Sequence, residues 1–342
     1  MKSSLILSGA LAGALLLGGC GSSFFNSRKS FEPEQTLSAS SAITPFDKEA
    51  VDVRRDGVTF EDGSFLTRSG LSSIRLPKGF RFVTRSGNKV LAADDTGAFK
   101  VIDARSGKVI HSGKLNYPLV SAAIRGNRIF YVSQDNRFGV YSLSAKKSLI
   151  SAKVGRAFAV DTRIANPISL GNMLVVPTLD GKLLILNPAN PRQAGGIAIG
   201  SSSNLNNVIF LTKLGNRIIA ATPGKLISAA PGSNHKYEAP VADVTVSGHT
   251  IYLLTVDGRV IKLSPTLKVL AQSKFPYAQF ATIAVVGGKV YALDRSGALI
   301  VMDPSLKKSR IYDVGSVDDY AFVAGHKLYK DDEVIDLSKL GY

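Results

Sequence analysis

One cysteine, four histidines and a set of aspartates beside glycine are the chemistry-bearing residues of this 342-residue chain. Cys20 closes the sequence Leu17-Gly18-Gly19-Cys20, behind an apolar stretch from Leu5 to Leu17 and a basic Lys2. A basic start, a short apolar core and small residues before the cut form a secretory signal. The core is too short to span a bilayer comfortably. A buried helix or a signal anchor would not explain why the only cysteine stands at that place. His111, His235, His249 and His326 are scattered through the chain. A metal site requires its ligands to converge, and the spacing gives no sign of that. HExxH, GxSxG and phosphate-loop patterns are absent. Asp62-Gly63, Asp180-Gly181 and Asp257-Gly258 read as hairpin turns. A calcium loop needs more oxygen ligands close together. The expectation is no catalytic residue, no metal and no cofactor.

The elements that hold these residues recur. Units open with GNKVLAADDTG at 87, GNRIFYVSQDN at 126, GNMLVVPTLDG at 171 and GNRIIAATPG at 215. They continue with GHTIYLLTVDG at 248, GGKVYALDRSG at 287 and GHKLYKDDEV at 325. The opening glycines are 39, 45, 44, 33, 39 and 38 residues apart. In most units a second turn residue follows ten positions after the first, as Gly97 follows Gly87 and Asn136 follows Gly126. His249 and His326 stand where other units have Asn88, Asn127, Asn172 and Asn216, which gives them a turn role. Runs such as RIFYVS and KVYALD are strand-length and rich in β-branched and aromatic residues. A unit of this period holds four short strands. Such a sheet has two apolar faces, which packing around an axis buries. The expected fold is all-β, a β-propeller of seven four-stranded blades, with eight as the alternative. The last unit lacks an outer strand, and LSSIRL at 71–76 is expected to supply it and close the ring. The segment VDVRRDGVTFEDGSFLT belongs either to an eighth blade or to the rim.

Two resemblances extend this reading. Leu17 to Cys20 resembles the lipobox of bacterial lipoproteins. That implies cleavage after residue 19, diacylglycerol on Cys20, and palmitate as the usual further acyl chain. Gly21 resembles the outer-membrane sorting class. The resulting organisation is a signal peptide over 1–19, lipidated cysteine and serine-rich tether over 20–50, and propeller over 51–342. GKVYALDRSGALIVMDPS and GHTIYLLTVDGRVIKLSPT resemble the pyrroloquinoline-quinone-like repeat. With the lipobox, the chain is similar to the BamB family of outer-membrane assembly lipoproteins. The resemblance implies a non-enzymatic periplasmic scaffold whose partner is the barrel insertase or another envelope protein. The alternative is a surface-exposed ligand- or host-binding lipoprotein. Quinoprotein dehydrogenases share the repeat, but they use a vicinal disulfide and a stacked tryptophan. This chain has one cysteine and no tryptophan.

The formal charge is +16, from 42 basic and 26 acidic residues. Export argues against nucleic acid and leaves anionic lipid, peptidoglycan or an acidic partner face as targets, with a merely solvated basic surface as the alternative. The longest links between units are expected at 155–166 and 195–206. The first carries Arg156, Phe158, Asp161 and Arg163, the candidate partner-binding residues; the alternative is structural, with Phe158 filling the gap between blades and Arg163 pairing with Asp161. Aromatic and arginine side chains are the usual anchors of protein interfaces.

Overall fold

The computed structural model describes residues 30–157, 160–200 and 205–342. They form eight blades, of residues 50–71, 81–114, 119–153, 168–198, 210–238, 241–274, 280–313 and 321–336. Each is an antiparallel meander, as in blade 3: Leu119–Arg125, Arg128–Ser133, Arg137–Ser142 and Lys147–Lys153. The first strand lies nearest the axis and the fourth at the rim.

The expectation of seven blades is corrected to eight. The missed unit is Ala50–Arg54, Gly57–Phe60, Phe65–Thr67 and Gly70–Leu71. Its second strand has only four residues, so its turns are closer together than in the other units. Arg55 also occupies the turn position that glycine fills in the other seven, as the pairing Arg54↔Gly57 shows. Period and signature residue both fail there. Ring closure is corrected too. Ile43–Pro45, not 71–76, supplies the missing outer strand, pairing antiparallel with Glu333–Asp336. Leu37–Ser38 adds a fifth strand to blade 7 beside Ser309–Asp313. The stretch read as tether therefore contributes two strands to the ring.

The core is divided like the ring. Eight apolar clusters each join successive blades: Phe130, Val132, Leu174 and Leu186 link blades 3 and 4, for example. Val58, Phe60, Phe322 and Tyr329 link blade 8 to blade 1. Second strands such as Arg217–Thr222 are buried beyond their first residue, because both sheet faces are covered. Outer strands such as Ser233–Glu238 alternate between half-buried and exposed. That contrast explains why the sequence shows continuous apolar runs followed by alternating ones.

A meander puts its 1–2 and 3–4 turns at one end, and its 2–3 turn and interblade link at the other. Glycine serves the ends differently. In 1–2 turns, Gly87, Gly126, Gly171, Gly215, Gly248, Gly287 and Gly325 all have φ between 55° and 61° and open space around them. They are needed for backbone conformation alone. In 2–3 turns the link of the same blade also passes over the glycine. The Phe275 amide donates to the Gly258 carbonyl at 2.8 Å, and a β-carbon on Gly258 would collide with the Phe275 carbonyl. Asn136, with φ 59°, replaces this glycine in blade 3. Its buried side chain donates to Asp180 at 3.0 Å and accepts from the Leu179 amide at 2.9 Å.

Candidate binding site at the channel mouth

The inner strands surround an axial channel. Its wide end, about 1490 Å³, opens on the face of the 2–3 turns and interblade links, here called the mouth face. A recess of about 410 Å³ opens on the opposite face. Arg55, Arg68 and Asp243 line both, so they form the constriction between them.

Arg55 reaches across the axis from blade 1 to blade 6. Its Nη1 donates to Asp243 Oδ1, its Nη2 donates to the Val244 carbonyl at 2.6 Å, and its guanidinium lies 4.8 Å from the Phe210 ring centre. Asp243 also accepts from Thr282 Oγ1 at 3.1 Å and the Ile283 amide at 3.0 Å. Burial alone would raise the Asp243 pKa; the Arg55 charge and these donors outweigh it, and the pKa falls. Arg68 donates to the Val323 carbonyl at 3.2 Å and to the Arg55 carbonyl, with its guanidinium 4.4 Å from the Phe322 ring centre. Desolvation and the nearby Arg55 push Arg68 down to about 10, so it stays charged at neutral pH.

Residues 160–166 of the long link fold into this channel. Asn166 donates to Asp56 at 2.8 Å and to the Val83 carbonyl at 2.9 Å, and accepts from the Ala122 amide at 3.0 Å. One side chain thus ties the link to blades 1, 2 and 3. Asn207, fully buried, accepts from the Asp161 amide at 2.7 Å and donates to the Asp161 and Arg163 carbonyls. Arg163 pairs with Asp161 at 2.5 Å and donates to the Ala242 carbonyl of blade 6. Burial would raise Asp161, but its bonds from Arg163 lower it; burial would lower Arg163, but Asp161 raises it.

The structure therefore brings Asp161 and Arg163 together at the channel wall, while Arg156 is exposed. Phe158 and Cys20 lie outside the described residues. Of the 195–206 link, Gly195 and Gly196 belong to the strand Asn190–Ala198, and Leu205 lines the mouth. Val160, Val256 and Tyr277 also line the mouth and are exposed, Val256 by 64%. These apolar side chains beside cationic Lys274 and Arg295 suit a protein surface.

Sequence reasoning missed Arg55, Asp243, Asn166 and Asn207. Two signals were present: an arginine where seven turns have glycine, and an acid inside the apolar run VADVTV. The histidines stay apart. His111 stacks 6.0 Å from Phe99, and His249 and His326 sit in exposed turns. Among the described residues, no three of His, Cys, Asp or Glu cluster as metal ligands.

A closed ring with a polar constriction and an apolar-rimmed mouth defines a β-propeller binding module. Residues 57–233 match the family described as Outer membrane protein assembly factor BamB, about half of the chain. The chain belongs to that family. It is 26% identical to Plasminogen-binding protein PgbB of Helicobacter pylori strain J99, over 89% of this chain and 65% of that protein. It is also 26% identical to PgbB of strain 26695, over 94% of this chain and 66% of that protein. The chain thus spans about two thirds of the curated relatives' length. The crystal structure of BamB from Moraxella catarrhalis is similar at a TM-score of 0.66 and 14% identity, over 88% of this chain and 98% of that one. Apo AztD from Citrobacter koseri is similar at 0.55 and 17%, over 80% and 86%. These two structures establish likeness of fold alone.

Proposed function

We propose that the chain is a non-enzymatic scaffold lipoprotein of outer-membrane protein assembly, lipid-anchored through Cys20 in the outer membrane with its propeller in the periplasm. The match across residues 57–233 carries this reading. The lipobox at Leu17–Cys20 supports the anchor. The mouth face is the docking surface for an envelope protein, the assembly insertase first among them. Arg156, with Phe158, Asp161 and Arg163, contributes from the 155–166 link. Loops on a rigid frame are where binding residues collect. The test is crosslinking in cells followed by purification of the full-length lipoprotein and of Arg156→Glu with Val256→Asp. Wild type recovers the insertase and the variant, folded and localised, does not. Equal recovery removes this face from the interface, and absence of the insertase from wild type overturns the assembly role.

The identity with a plasminogen-binding protein favours a second reading, a host-protein binder exposed outside the cell. Protease treatment of intact cells separates the two. A periplasmic scaffold is protected, and a surface binder is cut.

A further inference from the structure

The face opposite the mouth has a charge pattern that the fold itself does not use. Blade 2 puts Arg105 and Lys108 in its 3–4 turn, blade 3 has Lys146 and Lys147, and blade 7 has Lys307 and Lys308. All six are exposed. Among the described residues, those in blades 2 and 7 are engaged through backbone atoms: their amides donate to Asp103, Ser106 and Asp303, and the Lys108 and Lys308 carbonyls accept from the Asp103 and Asp303 amides. Cations nearer the axis behave otherwise. Lys89 donates to the Gly126 carbonyl at 3.1 Å and Arg128 to the Pro188 carbonyl at 2.7 Å, each joining its blade to the next. Lys89 and Arg128 therefore join blades, whereas the side chains of the outer six make no such bond among the described residues.

Exposed aliphatic residues stand at the same corners. Val109 and Ile110 follow Lys108, and Leu149 lies two positions after Lys147. In blade 6, Val269 and Leu270 follow the exposed Lys268, with Leu270 exposed by 57%. In a ring of eight, blade 2 faces blade 6 and blade 3 faces blade 7. The corners are therefore diametrically arranged, as the feet of a disc resting on a plane would be.

We propose that this face rests on an anionic lipid bilayer, with the lysines at headgroup phosphates and the aliphatic corners in the interface. Protein interfaces favour arginine and aromatic anchors and are depleted in lysine. Strand-like nucleic acid requires a groove with aromatic platforms. Lysine beside aliphatic residues on a broad face fits a lipid surface. The mouth then points away from that membrane, toward a protein partner.

The test uses residues 21–342 without lipid, a chain that contains every strand of the closed ring. Sedimentation is measured with phosphatidylcholine vesicles, with and without phosphatidylglycerol, at low and high salt. Binding is expected only with the anionic lipid and is expected to weaken with salt. Reversal of Lys146, Lys147, Lys307 and Lys308 to Glu reduces it by at least about tenfold. Reversal of Arg75, Lys78, Lys114 and Lys153 to Glu on the mouth face makes the same change in net charge and leaves binding within about twofold. Ile110→Ser with Leu270→Ser weakens binding without changing its salt dependence. Thermal unfolding checks that each variant is folded. Equal loss in both charge-reversal variants would show a net-charge effect and overturn the proposal. So would equal binding to neutral vesicles, no binding to anionic ones, or binding to peptidoglycan sacculi alone.

Discussion

The two ends of the propeller carry the same kinds of charged residue and use them differently. On the mouth face, four cations pair with the aspartates of the 2–3 turns. Lys48 pairs with Asp62 at 2.7 Å, Arg137 with Asp135 at 2.9 Å, Lys182 with Asp180 at 2.6 Å, and Arg259 with Asp257 at 2.9 Å. On the basic face, the acids of the 3–4 turns serve as backbone staples, and the outer cations face solvent. A net charge read from composition averages over this division. The fold sorts it, because 2–3 turns favour aspartate beside a positive-φ residue, while the 3–4 corners leave side chains free. Paired charge fixes single turns at the mouth and, through Arg55 and Asp243, crosses the axis, while the outer cations of the basic face are available for contact with something else.

Removing one partner from the channel pair is the strongest way to test that division. Asp243→Ala strands Arg55 inside the constriction and is expected to cost about 3–5 kcal/mol. Lys146→Ala, on the basic face, is expected to change stability by less than about 0.5 kcal/mol. Guanidinium chloride unfolding measures both. A cost under about 1 kcal/mol for Asp243→Ala would mean that the cross-axis pair does not secure the ring.

The turn glycines sharpen the same contrast. Gly126 needs only its left-handed backbone, with φ 60°, so Gly126→Ala is expected to cost about 1–2 kcal/mol. Gly258 has φ 82° and also lies under the Phe275 carbonyl, so Gly258→Ala is expected to cost about 3 kcal/mol or more. Equal costs would show that the link can move aside and that mouth-face turns are no tighter than the others.

Acid titration separates the carboxylates from the one perturbed histidine. Asp161, Asp180, Asp243 and Asp257 all have pKa values lowered from 3.8; burial opposes the shift in each, and cationic and hydrogen-bonding partners overcome it. Their stabilisation is complete above the unfolded value and is lost as pH falls through the lower folded values. Thermal midpoints are therefore expected to drop steeply below about pH 4. His111, by the basic corner of blade 3, is lowered from 6.5 by desolvation and then by Lys146. The unfolded chain protonates first, so a shallow loss begins near pH 6.5 as pH falls. His111→Gln removes the shallow phase and leaves the steep one. A steep phase near pH 6 in the wild type would assign the acid response to His111 rather than to the carboxylates.

The propeller is legible in the sequence wherever the turn geometry requires glycine, since left-handed φ leaves a fixed mark at a fixed spacing. The first blade is hidden because Arg55 takes that place and its side chain serves the channel instead. The closing strand Ile43–Pro45 is hidden for another reason. Three edge residues paired on one side need no distinctive sequence, and a serine-rich surrounding disguises them. The 155–166 link was recognisable as long and rich in anchors. Its inward path was not, because Asn166 and Asn207 act through contacts more than forty residues away in sequence. The repeat is local and readable, while the content of the channel is set by long-range closure.

The smallest expected effect concerns the basic face alone. Lys307 and Lys308 are adjacent, exposed and, among the described residues, bonded to Asp303 through backbone atoms. Replacing both by alanine keeps those amides and keeps the turn. It also removes two like charges from a face already rich in them. If the face contributed to folding, the double variant would lose stability. If the cations are surplus to the fold, Lys307→Ala with Lys308→Ala should unfold within about 0.5 kcal/mol of wild type. Any shift should be toward higher stability at low salt, where like-charge repulsion is least screened, and should fade as salt is added. Chemical unfolding at two ionic strengths distinguishes these outcomes. A salt-independent loss would place the two lysines among the structural residues, and the difference between the faces would then be one of degree.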